Sequence, residues 1–356
     1  MNRLEFLSYR VAFSGLPFGE LQQVLREVEQ NSPWTESFRR CWRRLREMAR
    51  KAELAGDIES AAQAWRWTAC ACHAASLGFH FGTNGRDRRL AIIRMRKMAH
   101  AAYLRAVRSD PCLARLVYIP YGLSYIGGYL RLARKRRSAV VVLFNGLDSI
   151  CEVEMHAFGD WLLARGLSVL ALDLPSGLLV YPRQPHLAVE ALAPSIANWI
   201  AGQPTLKPNR IGAFGVSFGG HLVARALSGD SRFRAGVAVS PAAWLGSKEL
   251  AHGQVRLMLS VAFNLRSDEQ VQSMAEQIQL ARLRPPRGQL LFYNMECDEL
   301  FGAEHKQAYV AWAGPTIEVR SYCAEHVGTS CIHSWMPEAC AWLNYQLAKK
   351  EEPLPC

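Results

Sequence analysis

The stretch Arg210-Ile-Gly-Ala-Phe-Gly-Val-Ser-Phe-Gly-Gly-His221 decides how the rest of the chain is read. Ile211 to Phe214 is an apolar run of strand length. Gly215-Val216-Ser217-Phe218-Gly219 is a G-x-S-x-G turn, and the chain continues helically through Leu222 to Leu227. In a strand–turn–helix of this kind the serine takes a strained backbone position. The residues two before and two after it must let the strand and helix backbones approach closely, which favours glycine. The serine hydroxyl is then lifted above the end of the strand, with a helix N-terminus beneath it. Such a hydroxyl is a candidate nucleophile, but a poor one until a base takes its proton. The turn alone carries no chemistry; its partners must be found elsewhere in the chain.

Working outward, strand and helix alternate. Leu116-Val-Tyr-Ile-Pro120 and Gly127-Gly-Tyr-Leu-Arg-Leu132 read as strands. Ala139-Val-Val-Val-Leu-Phe144 reads as a central strand buried on both faces, and Leu167 to Asp173 as the next. Helices are expected over 152–165 and 186–201, and Pro175-Ser-Gly177 breaks the chain between strand and helix. After the elbow, Arg234 to Val239, Gln289-Leu-Leu-Phe-Tyr293 and Thr316-Ile-Glu-Val-Arg320 are strands. Residues 247–283 are mainly helical, and Met336 to Leu347 is the last helix. The pattern predicts an α/β fold with a mostly parallel central sheet and helices on both faces.

In such a sheet, functional groups collect beyond the carboxyl ends of the strands. Asp298 follows the 289–293 strand, His326 follows the 316–320 strand, and Asn145-Gly146-Leu147 follows the central one. The order Ser217, Asp298, His326 suits one mechanism. His326 would act as base and then as acid, and Asp298 would fix its tautomer. The backbone N–H of Phe218 would bind the developing oxyanion, with Leu147 N–H, or Gly146, as second donor. His333 competes with His326, but it abuts the final helix rather than the strand end. Glu296 and Glu299 compete with Asp298. Trp244 and His221 are expected at the pocket edge, although core packing suits both. Asp148 and Glu152 read as carboxylates at a helix start. No metal-ligand spacing is present, and the mechanism needs no cofactor.

The first 110 residues have a different character. Glu20 to Glu29, Thr35 to Leu54, Ile58 to Leu77 and Arg88 to Val107 carry helical spacing, with turn residues at Asn31-Ser-Pro33, Ala55-Gly56-Asp57 and Gly82-Thr-Asn-Gly85. The chain therefore divides into a helical region, 1–110, and an α/β region, 111–350. Charge is divided too. Residues 1–137 hold 25 Lys/Arg against 11 Asp/Glu, a surplus of +14, while the remainder holds 17 against 20, or −3. An arginine-rich solvated surface is the plain reading. An acidic carrier protein is the macromolecular partner the surplus would suit, and no nucleic-acid motif accompanies it. Ten cysteines are scattered without C-x-x-C pairs, as expected of free thiols in a reducing compartment. With no apolar leader and no run near the roughly 18 residues of a membrane span, the expectation is a cytoplasmic protein, monomer or homodimer, acting on a small carbonyl substrate.

The chain resembles the α/β-hydrolase group that includes the fermentation–respiration switch protein family, dihydroxypseudooxynicotine hydrolase and fungal heptaketide hydrolases. The resemblance rests on the helical N-terminal region, the strand pair ending Gly127-Gly-Tyr-Leu-Arg-Leu132, Leu143-Phe-Asn-Gly-Leu-Asp-Ser149, and most specifically Pro208-Asn-Arg-Ile-Gly-Ala-Phe-Gly-Val-Ser-Phe-Gly-Gly220. It implies an α/β-hydrolase fold with a helical cap over the active site. In some members it also implies hydrolysis of a carbon–carbon bond next to a carbonyl in a ketide-like or aromatic ketone; an esterase, or acyl transfer from the same acyl-serine, is the alternative, as is a non-catalytic binding role. The chain departs from the group at Leu174-Pro-Ser-Gly-Leu178 and at Ile150-Cys151, so the substrate does not carry over.

Overall fold

The structure is a computed structural model and describes residues 3–78, 88–134, 137–175 and 187–349. Five helices come first: α1 (Arg3–Phe13), α2 (Phe18–Glu29), α3 (Trp34–Leu54), α4 (Ile58–Ser76) and α5 (Arg88–Ser109). Strands and helices then alternate: β1 (Arg115–Tyr121), β2 (Ser124–Arg131), β3 (Ser138–Phe144), α6 (Glu154–Ala164), β4 (Ser168–Leu172), α7 (Val189–Ala201), β5 (Leu206–Val216), α8 (Phe218–Gly229) and β6 (Phe233–Val239). Three helices follow, α9 (Ser247–Ala251), α10 (Gly253–Ala262) and α11 (Asp268–Gln277). The chain ends with β7 (Gln289–Met295), α12 (Ala303–Ala313), β8 (Ile317–Tyr322) and α13 (Ile332–Ala348). The turn at 82–85, Ser176-Gly177, the family departure at 176–178 and the expected helix start at His186 lie outside the described residues.

The eight strands form one sheet in the order β1-β2-β4-β3-β5-β6-β7-β8. The six strands from β4 to β8 run parallel, and β2 and β1 pair antiparallel at one edge. The mostly parallel sheet expected from the alternation is therefore present. Its central strand shows why an unbroken apolar run belongs there. Val140, Val142 and Phe144 join the core shared with α7, α8 and α12, while Val141 and Leu143 join the core on the opposite face.

That second core does not stop at the sheet. Leu7, Leu45, Trp65 and Tyr103 of the N-terminal helices belong to the same buried cluster as Val141, Leu143, Val169 and Phe214. The helical region is thus packed onto the α/β region through continuous apolar surface, and buried polar contacts reinforce it. Tyr103 Oη lies 2.6 Å from His156 Nδ1, and Arg10 Nε donates to Glu154 Oε1 at 2.9 Å.

Candidate active site

β5 delivers Ser217 to the carboxyl end of the sheet. Its φ of 54° and ψ of −125° lie in a region that residues with a Cβ rarely occupy. The neighbouring glycines make that turn possible. A Cβ at Gly215 would collide with the Gly219 backbone, and one at Gly219 with the Phe144 carbonyl. Phe218 begins α8, where an amide has no carbonyl four residues back to bond. Its N–H and the positive end of the helix dipole are directed to the same end of the sheet as the hydroxyl.

The strand ends then converge. His326 Nε2 lies 2.9 Å from Ser217 Oγ, and His326 Nδ1 lies 2.7 Å from Asp298 Oδ2. The other carboxylate oxygen, Asp298 Oδ1, accepts the amides of Leu300 at 2.8 Å and Phe301 at 3.0 Å. Burial to 3% exposure would push the Asp298 carboxyl up, but His326 and the amide donors hold it below its ordinary range. Asp298 is therefore an anion whose three contacts leave it one orientation. Phe301 also sets its ring edge-on to His326, with centroids 5.3 Å apart.

The histidine loop is held under strain. Val327 has φ 72°, an outlier for a β-branched residue. Its amide donates to Ser240 Oγ at 3.1 Å, and Ser240 itself has φ 46°. Two further bonds pin the loop: Trp335 Nε1 donates to the Gly328 carbonyl at 2.8 Å, and Ser330 Oγ to Glu325 Oε2 at 2.6 Å. Strain of this kind costs on the order of 1–3 kcal/mol per residue and persists where the surroundings over-determine it.

Facing Ser217 is the segment after β3. An added Cβ on Gly146 would sit 3.7 Å from Ser217 Cβ, so this backbone runs directly beside the serine. Two buried arginines of the helical region hold the segment. Arg96 Nη2 of α5 donates to the Leu147 carbonyl at 3.1 Å. Arg10 of α1 donates to Asp148 Oδ2 at 2.6 Å and to Glu154 Oε1 at 2.5 Å. Glu154 also meets His73 Nε2 at 2.8 Å and accepts the Ile150 amide at 3.1 Å. Burial alone would raise its carboxyl, but His73 and Arg10 bring it down to about 2. Glu152 pairs with His100 at 2.7 Å. Asp148 and Glu152 are thus partners of the helical region; α6 itself starts at Glu154, whose role the sequence did not signal.

A cavity of about 560 Å³ opens over Ser217, His326, Gly146 and Leu147. That is the size of a small-molecule site. Its aromatic lining comes from Phe6, Tyr9 and Phe13 of α1 together with Phe158 and Phe301. A model of the FrsA-like esterases matches residues 41–250, which include the elbow and most of the helical region.

The chain belongs to the FrsA-like esterase family. Esterase FrsA of Vibrio cholerae is 31% identical over 130 residues, covering 36% of this chain and 31% of that protein. Esterase FrsA of Vibrio vulnificus is 26% identical over 136 residues, covering 37% and 32%. The matched stretches span about a third of these relatives' length. Among solved structures, 2,6-dihydroxy-pseudo-oxynicotine hydrolase superposes over 97% of both chains with a TM-score of 0.81 at 14% identity. AbyA5 covers 89% and 90% with a TM-score of 0.59 at 16% identity, and GrgF of a Penicillium species covers 66% and 99% with 0.54 at 14%. The fold is that of the α/β-hydrolases with an N-terminal helical region.

Several sequence expectations find different places in this FrsA-like chain. Trp244 is not at the cavity; its ring lies on His305, with centroids 4.3 Å apart, behind the site. His221 is fully buried. Its Nδ1 bonds the Ala242 carbonyl at 3.0 Å, and its Nε2 accepts from Arg225 Nε at 2.9 Å. Burial and Arg225 bring its pKa down to about 3, so it is a neutral packing group. Ile150 and Cys151 point into the core rather than the cavity. Of the competing residues, His333 is exposed on the first turn of α13 and Glu296 is exposed, while Glu299 is exposed at the cavity. No helix among the described residues is long and apolar enough to cross a membrane.

Proposed function

We propose that Ser217 is the nucleophile of a serine hydrolase, with His326 as general base and acid and Asp298 as the group that orients it. Residues 1–110 serve as the cap and 111–350 as the catalytic unit. The supporting observation is the continuous chain from Ser217 Oγ through both imidazole nitrogens to Asp298, at 2.9 and 2.7 Å. His326 takes the serine proton as Oγ attacks a carbonyl. The oxyanion that forms lies against the Phe218 and Leu147 amides, and the imidazolium is stabilised by Asp298. The proton then passes to the leaving group, and water repeats the sequence on the acyl-serine.

The substrate we infer is an aromatic or ketide-like carbonyl compound, cleaved at the ester or C–C bond next to the carbonyl. The apolar half of the cavity, Phe6, Tyr9, Phe13, Phe158 and Phe301, suits a flat conjugated group. C–C cleavage needs a carbanion or enolate to leave, and a conjugated leaving group delocalises that charge. A fluorophosphonate probe should label Ser217 in the wild type and fail on Ser217→Ala, with turnover down on the order of 10³-fold or more. Aryl β-diketones should be cleaved faster than p-nitrophenyl acetate. Wild-type rates in Ser217→Ala would refute the mechanism; efficient turnover of simple esters with no β-diketone cleaved would reduce the reading to an esterase.

A further inference from the structure

Nine cysteines lie among the described residues, and all are free. Cys41, Cys70, Cys72, Cys151 and Cys340 are buried, Cys331 is half-buried, and Cys112 is exposed with no other thiol in contact. Cys297 and Cys323 differ. Both are exposed, both border the cavity, and their sulfurs are 3.7 Å apart. Each also sits on a catalytic loop: Cys297 directly precedes Asp298, and Cys323 is three residues before His326.

The backbone explains the approach. β7 and β8 pair in parallel up to Met295 and Tyr322. Two further bonds continue the pairing past the strand ends, Glu296 N to Tyr322 O at 2.9 Å and Cys297 N to Ala324 O at 3.0 Å. The two cysteines are thus diagonal neighbours on a rigid ladder, facing the same opening. A disulfide needs its sulfurs about 2.05 Å apart, so closure requires a movement of roughly 1.7 Å. The neighbouring thiol pushes Cys297 above its ordinary thiol range, so less of it is thiolate at neutral pH and exchange is slowed.

We propose that Cys297 and Cys323 are a dithiol that oxidises to an intramolecular disulfide and slows the enzyme by tying the acid loop to the histidine loop. The chemistry is exchange with a low-molecular-weight disulfide. One cysteine, as thiolate, attacks a sulfur of the oxidant, forming a mixed disulfide and releasing one small thiolate. The second cysteine thiolate attacks the protein sulfur of that mixed disulfide, forming the Cys297–Cys323 bond and releasing the other. The two protons lost by the cysteines go to the two released thiolates, and two electrons pass from the protein to the oxidant. The rate effect rests on the Ser217, His326 and Asp298 reading. Closure draws the 323–325 segment toward 297, and the pinned turn at Val327 passes the strain to His326. A misplacement of about 1 Å at a reacting group costs on the order of 10²-fold.

The test incubates the full chain with excess oxidised glutathione. Digestion without reductant should yield one cross-linked pair holding Cys297 and Cys323, about 2 Da lighter than the two reduced peptides together. Cys112, exposed without a neighbouring thiol, should carry only glutathione. Labelling of Ser217 by a fluorophosphonate should slow at least about tenfold and recover with dithiothreitol, whereas the double variant Cys297→Ser, Cys323→Ser should label at one rate in both conditions. Finding glutathione on both cysteines instead of a cross-link overturns the proposal. A cross-link that leaves the labelling rate unchanged overturns the regulatory half. The cross-link is read by mass, so it holds or fails even if Ser217 proves not to be the nucleophile.

Discussion

Asp298→Asn should disable the enzyme through the tautomer of His326 rather than through the fold, and the geometry forces that outcome. Asp298 Oδ1 accepts two backbone amides, from Leu300 and Phe301, while Oδ2 faces His326 Nδ1. A carboxamide has one oxygen and one NH2. Turning the NH2 toward the two amides would leave both donors unpaired, at about 1–3 kcal/mol each. The oxygen therefore stays with the amides and the NH2 faces Nδ1. The imidazole must then accept at Nδ1 and carry its proton on Nε2, the nitrogen 2.9 Å from Ser217 Oγ. In that state it cannot take the serine proton. The expected fall in kcat is on the order of 10⁴-fold, or roughly 5 kcal/mol of lost transition-state stabilisation. Fluorophosphonate labelling rates measure it without a known substrate. Glu296→Gln and Glu299→Gln, at exposed carboxylates, should stay within about threefold of wild type. A correctly folded Asp298→Asn variant labelled at more than about a tenth of the wild-type rate would refute this assignment.

His326→Ala should lose labelling about as completely as Ser217→Ala, whereas His333→Ala, at an exposed site, should retain it; the reverse result would move the base to His333. Acid should destabilise the fold in two stages. His221 is kept neutral by burial and Arg225, with a folded pKa of about 3. Its contribution is present above its ordinary range near 6.5 and is lost as pH falls from there toward 3. Glu154, at about 2 in the fold, contributes above its ordinary 4.5 and loses that contribution between 4.5 and 2, a term of roughly 3 kcal/mol. Urea midpoints should fall steadily below about pH 6; a midpoint level down to pH 4 would count against the His221 assignment, and one level from pH 4.5 to 2 against that of Glu154.

The strands were legible because most are apolar runs closed by turn residues. β3 as read, 139–144, differs from the observed strand by one residue. β5 begins five residues earlier than its apolar run, because Lys207-Pro-Asn-Arg210 carries strand backbone on polar side chains. Two helices were missed. α1 carries a legible apolar repeat in Leu4, Leu7 and Val11, whereas the inward stripe of α12 runs His305, Tyr309, Ala313 and lacks the apolar repeat that marks a helix. The meeting of Ser217, Asp298 and His326 was legible because each follows a parallel strand and the strand ends share one edge. The pocket wall was not. Phe6, Tyr9 and Phe13 reach Ser217 from about two hundred residues away in sequence. Trp244 was singled out because it follows the strand ending at Val239, and His221 because it follows the elbow, but Trp244 packs on His305 and His221 turns to Ala242 and Arg225.

The uneven charge of the chain also takes on a different meaning in three dimensions. Asp148, Glu152 and Glu154 all follow the segment beside Ser217, and Glu152 and Glu154 are buried. A buried carboxylate without a partner costs several kcal/mol. Their partners come from the helical region: Arg10 for Asp148 and Glu154, His73 for Glu154, and His100 for Glu152. Burial works against protonation of His100, yet Glu152 raises it above the ordinary imidazole range. Part of the N-terminal surplus is thus turned inward, where it satisfies the acidic segment that borders Ser217. Arg96, 2% exposed, adds a direct bond to the Leu147 carbonyl. The helices therefore do more than cover the cavity. The backbone opposite Ser217 keeps its place through two arginines that the α/β region does not itself supply, so the geometry of the site depends on the helical region as much as on the sheet.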